Sequence, residues 1–571
     1  MAGQVNVRGL LLPSLSGYQS KWVPKDVVAG LVLSALLVPQ GMAYAELAGL
    51  PPVTGLYTSI LCLVGYALTG PSRILVLGPD SALGPMIAAT ILPLLGADGD
   101  PIKAVALASA LAIMTGIIMI AAGAGHLGFV ADLLSKPTIL GYMNGLALTI
   151  LVGQLPKFLG FSTDADGFIP EVQALIAGIA NGEIVTAAAA IGLFSLVLIL
   201  VLDRLLPRVP AVLVAVVAAM VVSVGLSLGE KGVKLVGPLV SGFPAFTIPS
   251  VGLADLGVLV VGAFGISLVA LTDTISTATS FAERQGEQVD GNREMIGIGA
   301  ANVAAGFFQG FPVSTSGSRT AVAEKAGARS QVTGLVGAAM ITLMLVAFPG
   351  LLANLPQPTL AAVVIAASIS LADIPGTRRL FSQRKADFWL SIGAFLGVVL
   401  FGVLPGIVLA IALSVGNVFR RIWWPYRTTL GKVDGIAGVH DVTQNRDANR
   451  LAGCTIYRFD APLIFANART FRDDIVHIAT FDKPSWIIIA AEPITDVDTT
   501  ACDMLEDLVT KLDEMSIRLV FAELKTAPRR KLDQFGLEHV IGDDRYFPTI
   551  GSAVDAHRAL TGAQWQPPDS P

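Results

Sequence analysis

Charge is what this 571-residue sequence has least of: 14% of its residues are Asp, Glu, Lys or Arg, against 53% apolar. Soluble globular chains carry about 25% charged residues, so a water-facing surface over the whole length is excluded. The 3 cysteines, Cys62, Cys454 and Cys502, lie too far apart for a CxxC or zinc spacing, and an odd count in this context points to reduced thiols. Histidine is also scarce: His126 stands at a helix boundary and the others follow residue 421, so no metal cluster forms. The formal net charge of −5 comes from scattered signs, which gives no basic patch for nucleic acid. No nucleophile sits with a base or with metal ligands, so neither an enzyme nor a cofactor is expected. The first residues, MAGQVNVRGLLLPSLSGYQSKWVPKD, have no long apolar core and no small-residue cleavage pattern. A removable secretory signal is therefore not expected, and the first span serves as the insertion signal.

What the sequence does have is apolar runs of membrane-spanning length, rich in Gly, Ala and Pro, recurring from about Asp26 to Arg420. Spans are expected near 26–48, 52–69, 79–95, 103–123, 133–155, 184–202, 208–228, 256–282, 293–309, 314–325, 331–354, 359–374, 386–403 and 404–420, about fourteen in all. Loops after even-numbered spans carry Arg73, Lys136, Arg204, Arg208, Arg284, Arg293, Lys325, Arg329, Arg378, Arg379, Arg384 and Lys385. Those after odd-numbered spans carry only Lys103, Lys157, Lys231 and Lys234. The even side is then cytoplasmic by the positive-inside rule. The N-terminal segment 1–25, with Arg8, Lys21 and Lys25, and the exit segment, with Arg420, Arg421 and Arg427, fall on that side too.

Two stretches share a P-x-S-x-x-G pattern: Pro79-Asp80-Ser81-Ala82-Leu83-Gly84 and Pro312-Val313-Ser314-Thr315-Ser316-Gly317. Each opens a short apolar segment. The third span, at about 15 residues, makes roughly 22 Å of helix against a hydrocarbon core of about 30 Å, and the tenth is shorter still. The motifs are an odd number of spans apart, so two matching halves, about 26–228 and 256–420, are inserted in opposite senses as an inverted repeat. A Pro with Ser beside it suits a helix start, because Pro lacks an otherwise orphaned donor and Ser caps those that remain. Two such starts facing each other in mid-membrane bring unpaired N–H groups and partial positive charge together, which makes an anion site. One motif alone is also consistent with an ordinary helix start in a loop.

Asp273 falls well inside the eighth span, in Ala270-Leu271-Thr272-Asp273-Thr274. A carboxylate there is expected to be protonated, paired or bound to a cation, and Thr277 offers a hydroxyl one turn along the same face. A structural pair with Arg319 is the alternative. Arg319 follows the tenth-span start by about one turn, where it either adds positive charge to the anion site or snorkels to the interface. Glu46 reads as a cavity residue or a core acceptor, and Glu324, Asp132 and Asp373 as interfacial.

The first-span run Val38-Pro39-Gln40-Gly41-Met42-Ala43-Tyr44-Ala45, continued by Leu47-Ala48-Gly49-Leu50-Pro51-Pro52-Val53-Thr54-Gly55-Leu56-Tyr57, resembles the sulfate permease (SulP) family, the solute carrier family 26 anion transporters. So do Leu77-Gly78-Pro79 and Gly310 through Thr320. The resemblance implies a polytopic α-helical membrane protein of 14 transmembrane segments as 7+7 inverted repeats, divided into core and gate domains. It also implies elevator-type alternating access, a homodimer and a multi-pass position in the plasma membrane. Carried over by position, the anion site comprises Ser81, Ala82, Ser314, Thr315, Ser316, Gly317, Ser318 and Arg319, with Gln40 and Tyr44 facing them. Asp80, uncharged in many relatives, would repel an anion, so it is expected to cap the helix start or face away. Asp273 and Thr277 take the family's coupling position, serving H+ or Na+. The expected function is secondary active transport of a small inorganic anion, sulfate first, by cation symport. Bicarbonate or a dicarboxylate is the alternative substrate, and an anion channel or uncoupled exchanger the alternative of a different class.

After Arg421 charges recur every few positions and apolar runs shorten to strand length. Strands are expected at Cys454–Phe459, Pro462–Phe465, Trp486–Ala490 and Ile517–Phe521, with helices near 468–480, 499–515 and 526–535, giving a small α/β domain. It resembles the STAS domain, especially through Asp496-Val497-Asp498-Thr499-Thr500-Ala501, where Thr499 and Thr500 are expected to cap the following helix. The expected divisions are a linker over 421–450, the STAS domain over 451–560, cytoplasmic like the N-terminus, and a disordered tail over 561–571.

Overall fold

The structure is a computed structural model that describes residues 14, 18–95, 99–127, 134–163, 165, 167–206, 209–285 and 288–567. It divides into two compact units, Met1–Val415 and Gly416–Pro571. Most of the expected N-terminal segment 1–25, and the residues Asp132 and Arg208, lie outside the described residues.

The first half of the large unit runs α1 (Val23–Leu47), α2 (Pro52–Thr69), β1 (Leu77–Gly78), α3 (Gly84–Leu95), α4 (Pro101–Ala124), α5 (Lys136–Leu159), α6 (Phe168–Ala180), α7 (Thr186–Leu205) and α8 (Ala211–Gly225). The second runs α9 (Leu256–Gln285), α10 (Gly291–Phe307), β2 (Ser314–Thr315), α11 (Gly317–Lys325), α12 (Val332–Ala347), α13 (Gln357–Leu371), α14 (Ile374–Gln383), α15 (Lys385–Phe401) and α16 (Val403–Trp423). The order is the same in both: two helices, a two-residue strand, three helices, a short helix, two helices. The fourteen expected spans correspond to all of these helices except α6 and α14, which occupy the same place in each half. Among the described residues 8 helical stretches are long and apolar enough to cross a membrane unaided, and α3, α8 and α12 are shorter apolar helices.

The helices sort into two bundles. One, the core, packs α1–α4 with α9–α12; the other, the gate, packs α5–α8 with α13–α15, and α16 lies against α15 where a Cβ on Gly406 would meet Val398; α1 also touches α8 and α13. Close backbone approach builds the core. A Cβ on Gly55 would lie 1.9 Å from the Gly41 carbonyl oxygen, and one on Gly116 would lie 2.4 Å from that of Gly299. Helices in lipid gain little from burying apolar surface, so small residues that let backbones touch supply the packing instead. The glycines of the first-span signature are thus the α1–α2 crossing itself. At the start of α1 the carboxylate of Asp26, fully buried, accepts from Arg329 N at 2.6 Å, Ser330 N at 3.2 Å, Ser330 Oγ at 2.8 Å and Thr333 Oγ1 at 3.1 Å. It thereby satisfies donors at the N-terminal end of α12 that the helix leaves unpaired.

The smaller unit contains β3 (Arg427–Gly431), β4 (His440–Asp441), β5 (Arg450–Leu451), β6 (Cys454–Phe459), α17 (Ala468–Phe481), β7 (Trp486–Ala490), α18 (Thr499–Glu514), β8 (Arg518–Ala522), α19 (Thr526–Gln534), β9 (Tyr546–Phe547), α20 (Ile550–Thr561) and β10 (Trp565–Gln566). Its main sheet has the order β4-β3-β6-β7-β8-β9, parallel from β6 to β9. Alternation along β7 sends Ile487 and Ile489 into one core with Phe471, Leu505 and Phe521, and Trp486 and Ile488 into another with Leu430, Val520 and Val554. A sheet covered on both faces explains the near-continuous apolar strands.

Several expectations need correction here. The segment 421–450 is not a linker: β3 is antiparallel to β6 and β4 to β3, so the sheet begins at Arg427. The segment Pro462–Phe465 is no strand, its one bridge joining Leu463 to Val497. The segment 561–571 is not a disordered tail throughout, because Trp565 and Gln566 pair with Leu451 and Arg450; residues 568–571 lie outside the described residues. Asp498, not Thr499 or Thr500, caps α18, its carboxylate accepting from Ala501 N at 2.9 Å and Phe465 N at 2.7 Å. A carboxylate one residue upstream is the stronger acceptor at a positive helix end.

Candidate anion-binding site

The two P-x-S-x-x-G motifs meet at the centre of the core bundle. Strands β1 and β2 pair antiparallel, Leu77 opposite Thr315 and Gly78 opposite Ser314. The final glycine of each motif is the first residue of its helix, Gly84 in α3 and Gly317 in α11. The helices therefore begin five and three residues after the expected span starts at 79 and 314, because a turn through Ser81–Leu83 follows β1 and Ser314–Thr315 are spent on β2. Asp80, not Ser81, organises the first start, its carboxylate accepting from Ala82 N at 2.9 Å. Ser316, not Ser314, caps the second: its hydroxyl accepts from Arg319 N at 3.4 Å and lies 3.0 Å from Ser318 Oγ.

Arg319 is 1% exposed, which rules out a snorkelling guanidinium. Its Nη1 donates to the Pro79 carbonyl and its Nη2 to the Gly78 carbonyl at 3.4 Å, while Nη2 stands 3.7 Å from Asp80 Oδ2. Arg319, two residues past the second motif, thus holds the backbone where the first motif begins. Its partner is Asp80, so the expected alternative of a pair with Asp273 is not what the structure contains. Asp80 neutralises much of the added charge, leaving helix ends to supply positive potential. Among the described residues, Arg319 Nε has no acceptor.

The remaining candidates divide by exposure. Ser314 and Thr315 are fully buried, and Thr315 Oγ1 donates to Thr274 Oγ1 at 3.1 Å, locking β2 to α9. Ser81, Tyr44 and Ala82 are buried, Gln40, Ser316 and Gly317 are half-buried, and Ser318 is exposed. The first-turn amides of Gly317 and Ser318 have no intrahelical acceptor, as at any helix start. Thr277 flanks them, since a Cβ on Gly317 would lie 3.9 Å from Thr277 Oγ1. Asp273, one turn back, is half-buried and lines a small cavity with Thr272, Tyr142, Met143 and Ile407. Thr277 therefore faces the α11 start, whereas Asp273 faces α5 and α16 of the gate.

Sequence reasoning missed the groups that hold this crossing in place. Asn302 clamps Val313 from both sides, Oδ1 accepting from its N–H at 2.9 Å and Nδ2 donating to its carbonyl at 3.2 Å. Gln331 Nε2 donates to the Ser72 and Leu75 carbonyls at 2.9 and 2.8 Å. Buried Glu294 accepts from Tyr66 Oη at 2.6 Å and from Ser72 Oγ. A polar residue in an otherwise apolar span was the available signal for Asn302 and Glu294. Tyr142, whose buried hydroxyl has no partner among the described residues, carried no such signal, since tyrosines are common in spans.

A sulfate permease family model matches residues 23–394, and a STAS domain model matches residues 445–553. The chain belongs to the sulfate permease family. It is a transporter of that family, not an enzyme. A probable sulfate transporter of Mycobacterium tuberculosis is 40% identical over 543 residues, 95% of this chain and 96% of the relative. Sulfate transporter 1.3 of Arabidopsis thaliana is 29% identical, over 94% and 85% of the two chains. Among solved structures, the murine solute carrier 26 family member A9 anion transporter, inward-facing, superposes with a TM-score of 0.88 at 24% identity, covering 97% of this chain and 94% of that one. The transmembrane domain of the cyanobacterial bicarbonate transporter BicA superposes at 0.60 and 22% identity, covering 70% and 98%. At these identities the likeness is one of fold, and with the repeated element order it makes this permease a 14-span, 7+7 inverted repeat followed by a STAS domain.

Proposed function

We propose that this sulfate permease family member is a cation-coupled sulfate importer of the plasma membrane. The observation that carries the reading is the crossing of β1 and β2, which turns the starts of α3 and α11 toward one place in the core. Sulfate there would accept from the amides of Gly317 and Ser318 and from the Ser318 hydroxyl, and would offer an acceptor to Arg319 Nε. Ser81, Ala82, Gln40 and Tyr44 form the opposing wall, and Ser314, Thr315 and Ser316 shape the crossing. The sulfate transporters among its relatives support this substrate over bicarbonate or a dicarboxylate.

Asp273 and Thr277 hold the coupling cation, H+ or Na+. Among the described residues Asp273 has no ion pair, and its place against gate helices lets its occupancy be sensed where the core moves past the gate. The core carries the crossing as one body in an elevator movement while the gate, in a homodimer, stays fixed. Lys and Arg concentrate in the even-side loops, which puts the N-terminus and the STAS domain in the cytoplasm. Uptake of labelled sulfate into proteoliposomes under imposed Na+ or pH gradients tests the reading. Gradient-driven accumulation lost in Asp273→Asn supports symport. Flux indifferent to both gradients and unchanged by the substitution would instead make the protein a channel or uncoupled exchanger.

A further inference from the structure

The short helix α14 joins two membrane helices, α13 and α15, with no more than two residues on its N-terminal side and one on its C-terminal side. Its exposed Arg378 and Arg379 are too costly to hold within the hydrocarbon, so α14 lies at the boundary of that layer. It has no buried residue. Its N-terminus is nonetheless fixed: Asp373 Oδ1 accepts from Gly376 N at 2.7 Å, Asn144 Oδ1 on α5 accepts from Asp373 N at 2.7 Å, and Asn144 Nδ2 donates to Thr377 Oγ1 at 2.9 Å. With Thr377 turned to α5, the helical period places Ile374 and Phe381 together on an adjoining face and Arg378 and Arg379 beyond them. Ile374 and Phe381 are 53% and 58% exposed, and both arginines are exposed with no ion pair among the described residues. Phe381 packs edge-on to Phe388 at 5.0 Å, and Phe388 edge-on to exposed Trp389 at 5.4 Å. Arg384 and Lys385 follow at the same level, Arg384 lying 3.7 Å from Asp387.

The other half of the protein supplies an internal comparison. Helix α6 holds the same place in the first repeat and is also exposed and apolar, through Ile169, Ile176 and Ile179. Its sequence, FIPEVQALIAGIA, has one acid and no cation. Inversion of the repeat puts it at the opposite face of the bilayer. A purely structural need for an amphipathic joint would be met equally by either composition, so the cations of α14 answer to what lies on its own side.

We propose that α14 is a binding surface for anionic phospholipid, with Arg378 and Arg379 taking the phosphate of the headgroup and Ile374, Phe381 and Trp389 lying along the glycerol and upper acyl region. Interfacial helices bind through this combination of buried apolar area and attraction to anionic lipid. Because Asn144 ties α14 to α5, a bound lipid steadies the gate. The claim does not depend on which anion is carried.

Native mass spectrometry of the full-length protein with phosphatidylglycerol and phosphatidylcholine tests it. The wild type should retain phosphatidylglycerol in preference, and the double variant Arg378→Gln/Arg379→Gln should weaken that preference by about twenty-five-fold, at about fivefold per cation near an anionic surface. Arg446→Gln/Arg530→Gln, with the same charge change in the C-terminal unit, should retain it. Equal retention of the two lipids by the wild type, or undiminished preference in the Arg378/Arg379 variant, would overturn the proposal. So would displacement of the lipid by soluble glycerol phosphate at equal concentration, which would make the surface a free-anion site.

Discussion

The Asp80–Arg319 pair offers the sharpest structural test, because it sets a largely buried charge of one repeat against a fully buried charge of the other. At 3.7 Å and side-chain exposures of 16% and 2%, two unit charges attract by about 4.5 kcal/mol at an effective dielectric of about 20. Removing one partner of such a pair typically costs about 3–5 kcal/mol, because the other charge stays buried. Arg319 keeps the Pro79 and Gly78 carbonyls, so Asp80→Asn should fall at the lower end, about 3 kcal/mol. Asn retains the acceptor for Ala82 N, which keeps loss of the cap out of the comparison. Arg319→Met should cost at least as much, since it also leaves Asp80 buried and the two carbonyls unbonded. The double variant should be less destabilised than the sum by about 2 kcal/mol. Equilibrium unfolding in mixed detergent–SDS micelles, followed by circular dichroism, measures all three. Additive losses, or single-variant losses under about 0.5 kcal/mol, would refute the pair as a stabilising link between repeats. Since Asp80 also offsets the positive charge, a folded Asp80→Asn protein should bind sulfate more tightly than the wild type.

Other consequences can be checked separately. Gly55→Ala puts a methyl 1.9 Å from the Gly41 carbonyl oxygen, a backbone clash, and should abolish a monodisperse peak in detergent; normal yield and elution would contradict the α1–α2 crossing. Asp26→Ala removes the acceptor of four donors and should cost about 3 kcal/mol or more in the same unfolding assay. In the C-terminal unit, burial holds the His557 pKa below its usual 6.5, so the unfolded chain binds the proton more readily. Stability is then full above about pH 6.5 and declines as pH falls toward the folded pKa. The melting temperature of this unit should drop across that window, and His557→Gln should flatten the drop; an identical slope in the variant would contradict the assignment. Asp496, held low chiefly by its hydrogen bond from Lys531 and secondarily by Val497 N, should add a further loss only below about pH 4.

Much of this architecture could be read from the sequence because hydrophobic span length and loop charge are set by the bilayer. The two motifs revealed the inverted repeat for the same reason: Gly84 and Gly317 stand at equivalent helix starts. What stayed hidden depends on contacts across the repeat. Nothing local assigns Arg319 to Asp80 and not to Asp273, or shows that the second start is capped by Ser316 and not by Ser314. Helices α6 and α14 fall in expected loops because, unlike the equally short α3 and α11, neither opens on the P-x-S-x-x-G motif that marks a short helix, and α14 reads as charged sequence. In the C-terminal unit, β3 was missed because its neighbour β6 follows only after an excursion through β4 and β5, and β10 because a two-residue strand has no periodicity.

Calorimetric titration of sulfate onto the purified protein, with Na+ and pH varied in turn, tests the central claim most directly. If anion and cation occupy linked sites, each must tighten the other by the same factor. Sulfate Kd should therefore fall as either Na+ or H+ is raised in the wild type, and should be flat in Asp273→Asn. A wild-type Kd that ignores both cations, or an undiminished cation effect in Asp273→Asn, would contradict coupling at Asp273.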